Sequence, residues 1–126
     1  MDRAEVGKLG EKQAQKFLKK RGYRIRETGF RCRHGEIDII AQKKDCLVFV
    51  EVRTKSNLDF GTPEESITRA KKERLIASAL TYTNTHQKIP ALWRIDVVAI
   101  ELDAKGKAKR MELVENAVEQ GPPFTC

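Results

Sequence analysis

The stretch Gly35-Glu36-Ile37-Asp38-Ile39-Ile40-Ala41, followed after Gln42-Lys43-Lys44-Asp45 by Cys46-Leu47-Val48-Phe49-Val50-Glu51-Val52-Arg53-Thr54, decides the fold. Both segments are rich in β-branched and aromatic residues, and Lys43-Lys44-Asp45 reads as a tight polar turn between them. The pattern predicts two antiparallel strands, over 36–41 and 46–54. In the second, Val48, Val50 and Val52 take one face, and Leu47, Phe49, Glu51 and Arg53 the other. A strand apolar on both faces belongs in the interior of a sheet that is covered on both sides.

Asp38 and Glu51 interrupt these apolar runs. Mid-strand charges are costly unless paired or bound to a metal. With the turn closing at 43–46, Gln42 faces Leu47, and counting back sets Asp38 opposite Glu51. Directly opposed residues have Cβ atoms about 5 Å apart. Two carboxylates that close repel, and a divalent cation resolves the conflict. A slip of one residue would send them to opposite faces. Glu36 is expected to share a face with Asp38, and Arg53 and Lys55 to share one with Glu51, giving three acids and then two bases. Oxygen donors of this kind suit Mg2+ or Mn2+. Such an ion can activate water and stabilise charge on a phosphodiester oxygen. The competing structural account pairs Asp38 and Glu51 with Arg53, Arg33 or Arg94.

Outward from the hairpin, residues 3–21 read as an amphipathic helix capped by Asp2, striped by Ala14, Phe17 and Leu18, and ended by Gly22. Tyr23 to Thr28 alternate as a short strand, and residues 56–61 (SNLDFG) form a loop. Thr62-Pro63-Glu64-Glu65 is a capping box with proline at the first helical position. It predicts a helix capped by Thr62 and running from Pro63 to about Thr83, with Ile67, Leu75, Ile76, Ala79 and Leu80 inward. Lys71 lies four residues from both Ile67 and Leu75, where it either snorkels or aims at a phosphate or the acidic cluster. Ile89-Pro90 breaks the chain before the strand LWRIDVVAIEL, residues 92–102. Its mid-strand Asp96 is expected to form a structural pair with Arg94 or a helix lysine. Trp93 reads as core, and His34 and His86 as surface residues. A basic turn over 104–109, an edge strand over 111–114 and a helical turn over 115–120 complete the pattern. The order is α-β-β-β-α-β-(β/α), which implies an α/β fold with a mixed sheet and helices on both faces. One domain is expected over residues 1–120, with 121–126 a flexible tail.

The 126 residues are 40% hydrophobic and 34% charged, too apolar for a disordered chain. No apolar run approaches the roughly 20 residues that span a bilayer. Met1-Asp2-Arg3-Ala4-Glu5 lacks the apolar core of a signal peptide. The expectation is a cytoplasmic protein whose Cys32, Cys46 and Cys126 are reduced thiols. Zinc binding by Cys32, His34 and Cys46 would fit no usual ligand spacing. Twenty-five Lys and Arg against 18 Asp and Glu give +7, a balance that favours polyanions. The cations cluster in residues 16–33 and 69–74. Lys19, Lys20, Arg24, Arg31, Arg33 and Lys72 from these clusters are the candidate nucleic-acid contacts; solvated faces are the alternative.

The blocks Gly7-x-x-Gly10-Glu11-x-x-Ala14, Gly22-Tyr23, Gly35 to Ala41, Val48 to Arg53, Lys55, Gly61, Lys71 and Arg94-x-Asp96-Val97-Val98 together resemble the YraN-like family of small bacterial proteins. The resemblance covers roughly residues 4–118. That family looks like a distant relative of archaeal Holliday-junction resolvases, within the restriction-endonuclease-like PD-(D/E)xK fold. It implies a three-layer architecture with the core order αβββαβ. Asp38 matches the motif aspartate, Glu51 the acid of the (D/E)xK element, and Glu11 the helix acid that resolvase-like relatives add to the metal site. Arg53 stands where the motif has lysine, and Ile37 where it has proline. Arginine stays protonated, so it can stabilise phosphate charge but cannot shuttle a proton.

Residues and resemblance together give an expectation of a metal-dependent, endonuclease-like protein acting on DNA, branched or otherwise structured. Asp38, Glu51, Glu11 and Glu36 are the candidate Mg2+ or Mn2+ ligands. Asp38 and Glu51 with Arg53, Lys55 and Lys71 are the candidate catalytic residues. Junction resolvases nick two strands, so a homodimer is part of the expectation. The alternatives are a non-catalytic nucleic-acid-binding module on the same fold, in which the acids are structural, and an adaptor within a protein complex.

Overall fold

Residues 1–119 and Cys126 are described by a computed structural model. Five strands form one sheet in sequence order: β1 (Arg24–Cys32), β2 (Gly35–Lys43), β3 (Cys46–Lys55), β4 (Leu92–Leu102) and β5 (Ala108–Val114). β3 and β4 are parallel and the other neighbours antiparallel, so the sheet is mixed. The parallel step needs a crossover, and α2 (Arg69–Thr85) supplies it. Helix α1 (Arg3–Lys20) covers the opposite face. This is the three-layer α/β arrangement that the element order implied.

Each helix has its own apolar layer. Ala14 and Leu18 of α1 pack with Val48, Val50, Val98 and Ile100; Leu75, Ala79 and Tyr82 of α2 pack with Leu47, Phe49 and Ile95. Valines at even positions of β3 therefore face α1, and the odd positions face α2, as alternation requires. The Asp2 side chain caps α1 by accepting the Glu5 N–H at 2.8 Å. Gly10 lets α1 lie close on β3: a Cβ there would run into the Thr54 side chain.

Several expectations need correction. The Thr62–Glu65 capping box forms, with Thr62 N–H and Oγ1 each donating to Glu65 Oε1 at 2.8 Å, but it closes only a 3-10 turn over Glu64–Ser66. Ile67 is extended, and α2 starts at Arg69 with Thr68 as its cap, accepting the Lys71 N–H at 3.1 Å. Leu80, expected inward, is 45% exposed, and the buried stripe is Leu75, Ser78, Ala79 and Tyr82. The first strand extends to Cys32 and the last begins at Ala108. The helical turn expected over 115–120 is not formed over 115–119, where Asn116 takes a positive φ of 51°.

Cys46 and Cys126 are not free thiols; they form a disulfide with a Cα–Cα distance of 5.6 Å, and Cys32 stays free. Cys126 is thus tied to the start of β3, against the expectation of a loose tail for that residue; residues 120–125 of the expected tail lie outside the described residues. The grouping of Cys32, His34 and Cys46 does not form. Cys32 pairs with Gly35 at one end of β2 and Cys46 with Lys43 at the other, about 26 Å along the strand. No described helix is long and apolar enough to cross a membrane.

Candidate functional site

The hairpin register is Gln42↔Leu47 through Ile39↔Val50, so the next row sets Asp38 against Glu51. The ladder stops there. Ile39 and Ala41 pack in the α1 layer, whereas Ile37 packs with Ile40 in the α2 layer. Strict alternation would have kept Ile37 with Ile39, so the chain changes face across Asp38. Gly29, which the β1–β2 register places across from Asp38, takes a φ of 64°, a conformation that favours glycine. Asp38 sits at this kink, and its Oδ2 accepts the Val52 backbone N–H at 2.8 Å. The side chain replaces a ladder carbonyl that the kink has withdrawn.

Glu51 faces the α2 layer and is only 2% exposed. A hydrogen bond links its carboxyl to that of Asp38. Burial, then the Asp38 charge and that hydrogen bond, push Glu51 up to about 8. Two bases act against the shift: Lys71 Nζ and Arg53 Nη1 each lie 3.5 Å from Glu51 Oε2. Near neutral pH, Glu51 therefore holds a proton, which lets its buried carboxyl lie beside the part-buried carboxyl of Asp38. Arg53 is oriented by its Nε, which donates to Ser66 Oγ at 2.9 Å, and Ser66 donates in turn to the Pro63 carbonyl. The 3-10 turn carrying Ser66 is fixed from behind by Arg110, which bonds Glu64 at 2.6 Å while also pairing with Glu101 and Glu112.

The remaining candidates divide. Glu11, on α1, is raised by burial and by the charges of Asp38 and Glu36, so it shares their electrostatic neighbourhood. Glu36 does not join Glu51 on one face, because the face change at Asp38 turns it toward the α1 side, where it pairs with Arg31 at 3.6 Å. Three acids on a single face are therefore not formed. Among the described residues no group of three His, Cys, Asp or Glu side chains is gathered as a metal cage. Lys55 is occupied elsewhere: its Nζ donates to the carbonyls of Phe60 and Gly61, at 3.3 Å each. Arg31 and Arg33 flank the β1–β2 turn, two to five residues from Asp38 in the hairpin, and Lys72 follows Lys71 as an exposed residue. Lys19, Lys20 and Arg24 lie at the other end of the sheet. Arg24 pairs with Gln42, four rows from Asp38 or about 13 Å.

Sequence reasoning missed Ser66 as the residue that orients Arg53. Its only signal was its place directly after a capping box, which a helix would have used differently. Asp96 behaves as expected of a structural acid. It accepts from Arg94 Nε at 3.0 and 3.1 Å and from the Asn116 N–H at 2.8 Å.

The geometry defines an α/β protein with a carboxyl pair, Glu51 buried and Asp38 part-buried, flanked by two bases where two central strands part. The chain belongs to the family described as uncharacterised protein family UPF0102, whose model matches residues 10–100. UPF0102 proteins of Caldicellulosiruptor saccharolyticus and Dictyoglomus thermophilum are 39% and 43% identical to it, each over 93% of this chain and 99% of the relative. One from Dehalococcoides mccartyi is 44% identical over 93% of this chain and 95% of its own. The family resemblance carried by the GEIDIIA and VFVEVR blocks is thereby confirmed.

Proposed function

We propose that the chain is a metal-dependent, nuclease-like protein of the restriction-endonuclease-like fold, acting on DNA phosphodiesters in branched or otherwise structured DNA. The observation that carries this reading is the pairing of the part-buried Asp38 carboxyl with the buried Glu51 carboxyl mid-sheet, with Lys71 and Arg53 on one Glu51 oxygen. A carboxyl pair that must share a proton fits a hard divalent cation, because both donors are oxygens and the cation removes the repulsion the proton now relieves. Asp38 and Glu51 would hold Mg2+ or Mn2+, with Glu11 nearby to add negative charge. When bound, the ion supplies an activated water and charge stabilisation at a phosphodiester oxygen.

The protein's own part is positional. The Val52 N–H fixes Asp38, so one carboxylate is aimed before any ligand arrives. To hold the ion Glu51 would have to release its proton to solvent. Lys71 and Arg53 are then free to turn from Glu51 to a phosphate oxygen, and Arg53 does so as a permanent cation held by Ser66. Arg31, Arg33 and Lys72 are the contacts for the flanking backbone. Lys19, Lys20 and Arg24 reach only a long substrate that runs the length of the sheet. Acting on two strands calls for two copies, and sedimentation at micromolar concentration measures whether they associate.

A second reading is favoured by one observation: with no third acid gathered and both bases paired to Glu51, the centre can be a closed structural cluster in a binding module. Cleavage with Mn2+ or Mg2+ separates the two. The panel is a four-way junction, a flap, single strands and a linear duplex, with Asp38→Ala and Glu51→Ala in parallel. Cutting that both substitutions abolish is the expected outcome. No cutting, with binding equal in all three proteins, would leave the binding module.

A further inference from the structure

The loop between β3 and the 3-10 turn carries the most exposed large apolar side chain of the described residues, Phe60 at 91%, with Leu58 beside it. Its backbone is nevertheless held. Lys55 Nζ bonds the carbonyls of Phe60 and Gly61, the Gly61 N–H donates to the Leu58 carbonyl at 3.1 Å, and the Asp59 N–H donates to Asn57 Oδ1 at 3.3 Å. Both ends of the loop are indexed to the acid centre. Lys55 lies four residues along β3 from Glu51, about 13 Å. The far end runs into the turn whose Ser66 orients Arg53. An apolar ring is thus presented to water on a backbone-bonded loop whose two ends lead back to the acid centre.

The loop's composition selects what the ring can touch. Residues 56–61 contain no Lys or Arg and one acid, Asp59, so this segment is not built to grip phosphate. A net charge of +7 brings a polyanion to the molecule, and what the tip can offer such a ligand is a stacking surface. Bases in a duplex are already stacked, whereas unpaired bases expose a π-face to any aromatic ring. We propose that Phe60, supported by Leu58, is a stacking platform for an unpaired nucleobase of a nucleic acid held at the Asp38–Glu51 centre. The proposal rests on the phosphodiester reading and sharpens it: the preferred substrate has single-stranded character close to the cut.

The test is binding of the full chain in EDTA, where nothing is cut, to labelled single-stranded, flapped and blunt-duplex oligonucleotides, with Phe60→Ala and Phe60→Trp. Phe60→Ala is expected to bind the single strand and flap about 10-fold more weakly, with an unchanged salt slope, while Phe60→Trp keeps affinity. The blunt duplex is expected to bind all three proteins alike. Urea midpoints are expected to match, since the side chain is exposed. Equal binding of single strand and flap by wild type and Phe60→Ala would overturn the platform and leave the phosphodiester reading standing. Absence of binding to any oligonucleotide by the wild type would remove both. Loss of a sedimenting dimer in Phe60→Ala, with nucleic-acid binding unaltered, would overturn the proposal by giving the surface to a second copy.

Discussion

Glu51 and Asp96 occupy successive rows of the central parallel pair, where Val50 faces Asp96 and Glu51 faces Val97. Both are almost fully buried, at 2% and 0% exposure, on opposite faces of the sheet. Burial raises the pKa of each. What opposes burial differs. Asp96 receives Arg94 through Nε and the Asn116 N–H, and Arg94 spends its other donors on the Tyr23 hydroxyl and the Cys126 carbonyl, each at 2.9 Å. Glu51 has another carboxyl for a neighbour and two cations no closer than 3.5 Å. A buried acid held by a guanidinium and a backbone N–H is part of the scaffold. A buried acid that must keep a proton to be tolerated is under tension that a ligand can relieve.

The comparison breaks most visibly at Asp96. Asp96→Ala leaves the buried Arg94 with only the exposed Glu115 carboxylate at 3.7 Å and is expected to cost about 3–5 kcal/mol in urea unfolding. Glu51→Ala should cost far less, and equal losses would mean that both acids are structural. Next in size is cation linkage. Mn2+ at 100 times its dissociation constant should stabilise the wild type by about 2.7 kcal/mol, and Asp38→Ala not at all. A like gain in both would place the ion elsewhere.

The third effect is titration. Glu51 in the folded chain titrates near 8, above the ordinary 4.5, so the native state binds the extra proton. Its contribution is fully present below about 4.5 and is lost as pH rises through about 8. Glu51→Gln removes that loss and is expected to be more stable than wild type by about 2 kcal/mol at alkaline pH, and little changed at pH 4. A variant less stable than wild type at both ends would reverse the sign. The smallest effect is Ser66→Ala, about 1–2 kcal/mol for two hydrogen bonds, one from Arg53 and one to the Pro63 carbonyl. It should lower cleavage more than its stability cost explains, because Arg53 loses its orientation; activity that tracks stability would make Ser66 merely structural.

Much of this was readable because strands obey a period of two. The turn at Lys43-Lys44-Asp45 fixed the register that brings Asp38 to Glu51, and the i, i+2 spacing of Arg94 and Asp96 put the structural pair on one face. The face change at Asp38 was not readable, since it breaks that period and depends on Gly29 in the neighbouring strand. Glu36 was misplaced for this reason. The capping box at Thr62 is real, but nothing local says that a helix stops after one turn, so the box predicts the start of α2 six residues too early. Cys46 and Cys126 are 80 residues apart, and only the fold brings them together.

The bond from the Val52 amide to Asp38 has a spectroscopic consequence. Elsewhere in the sheet an amide reports on its partner strand; this one reports on a side-chain carboxylate. In a nitrogen–proton correlation spectrum the Val52 resonance should move whenever that carboxylate changes charge, partner or direction. One assigned peak would then follow the arrival of a cation or a phosphate.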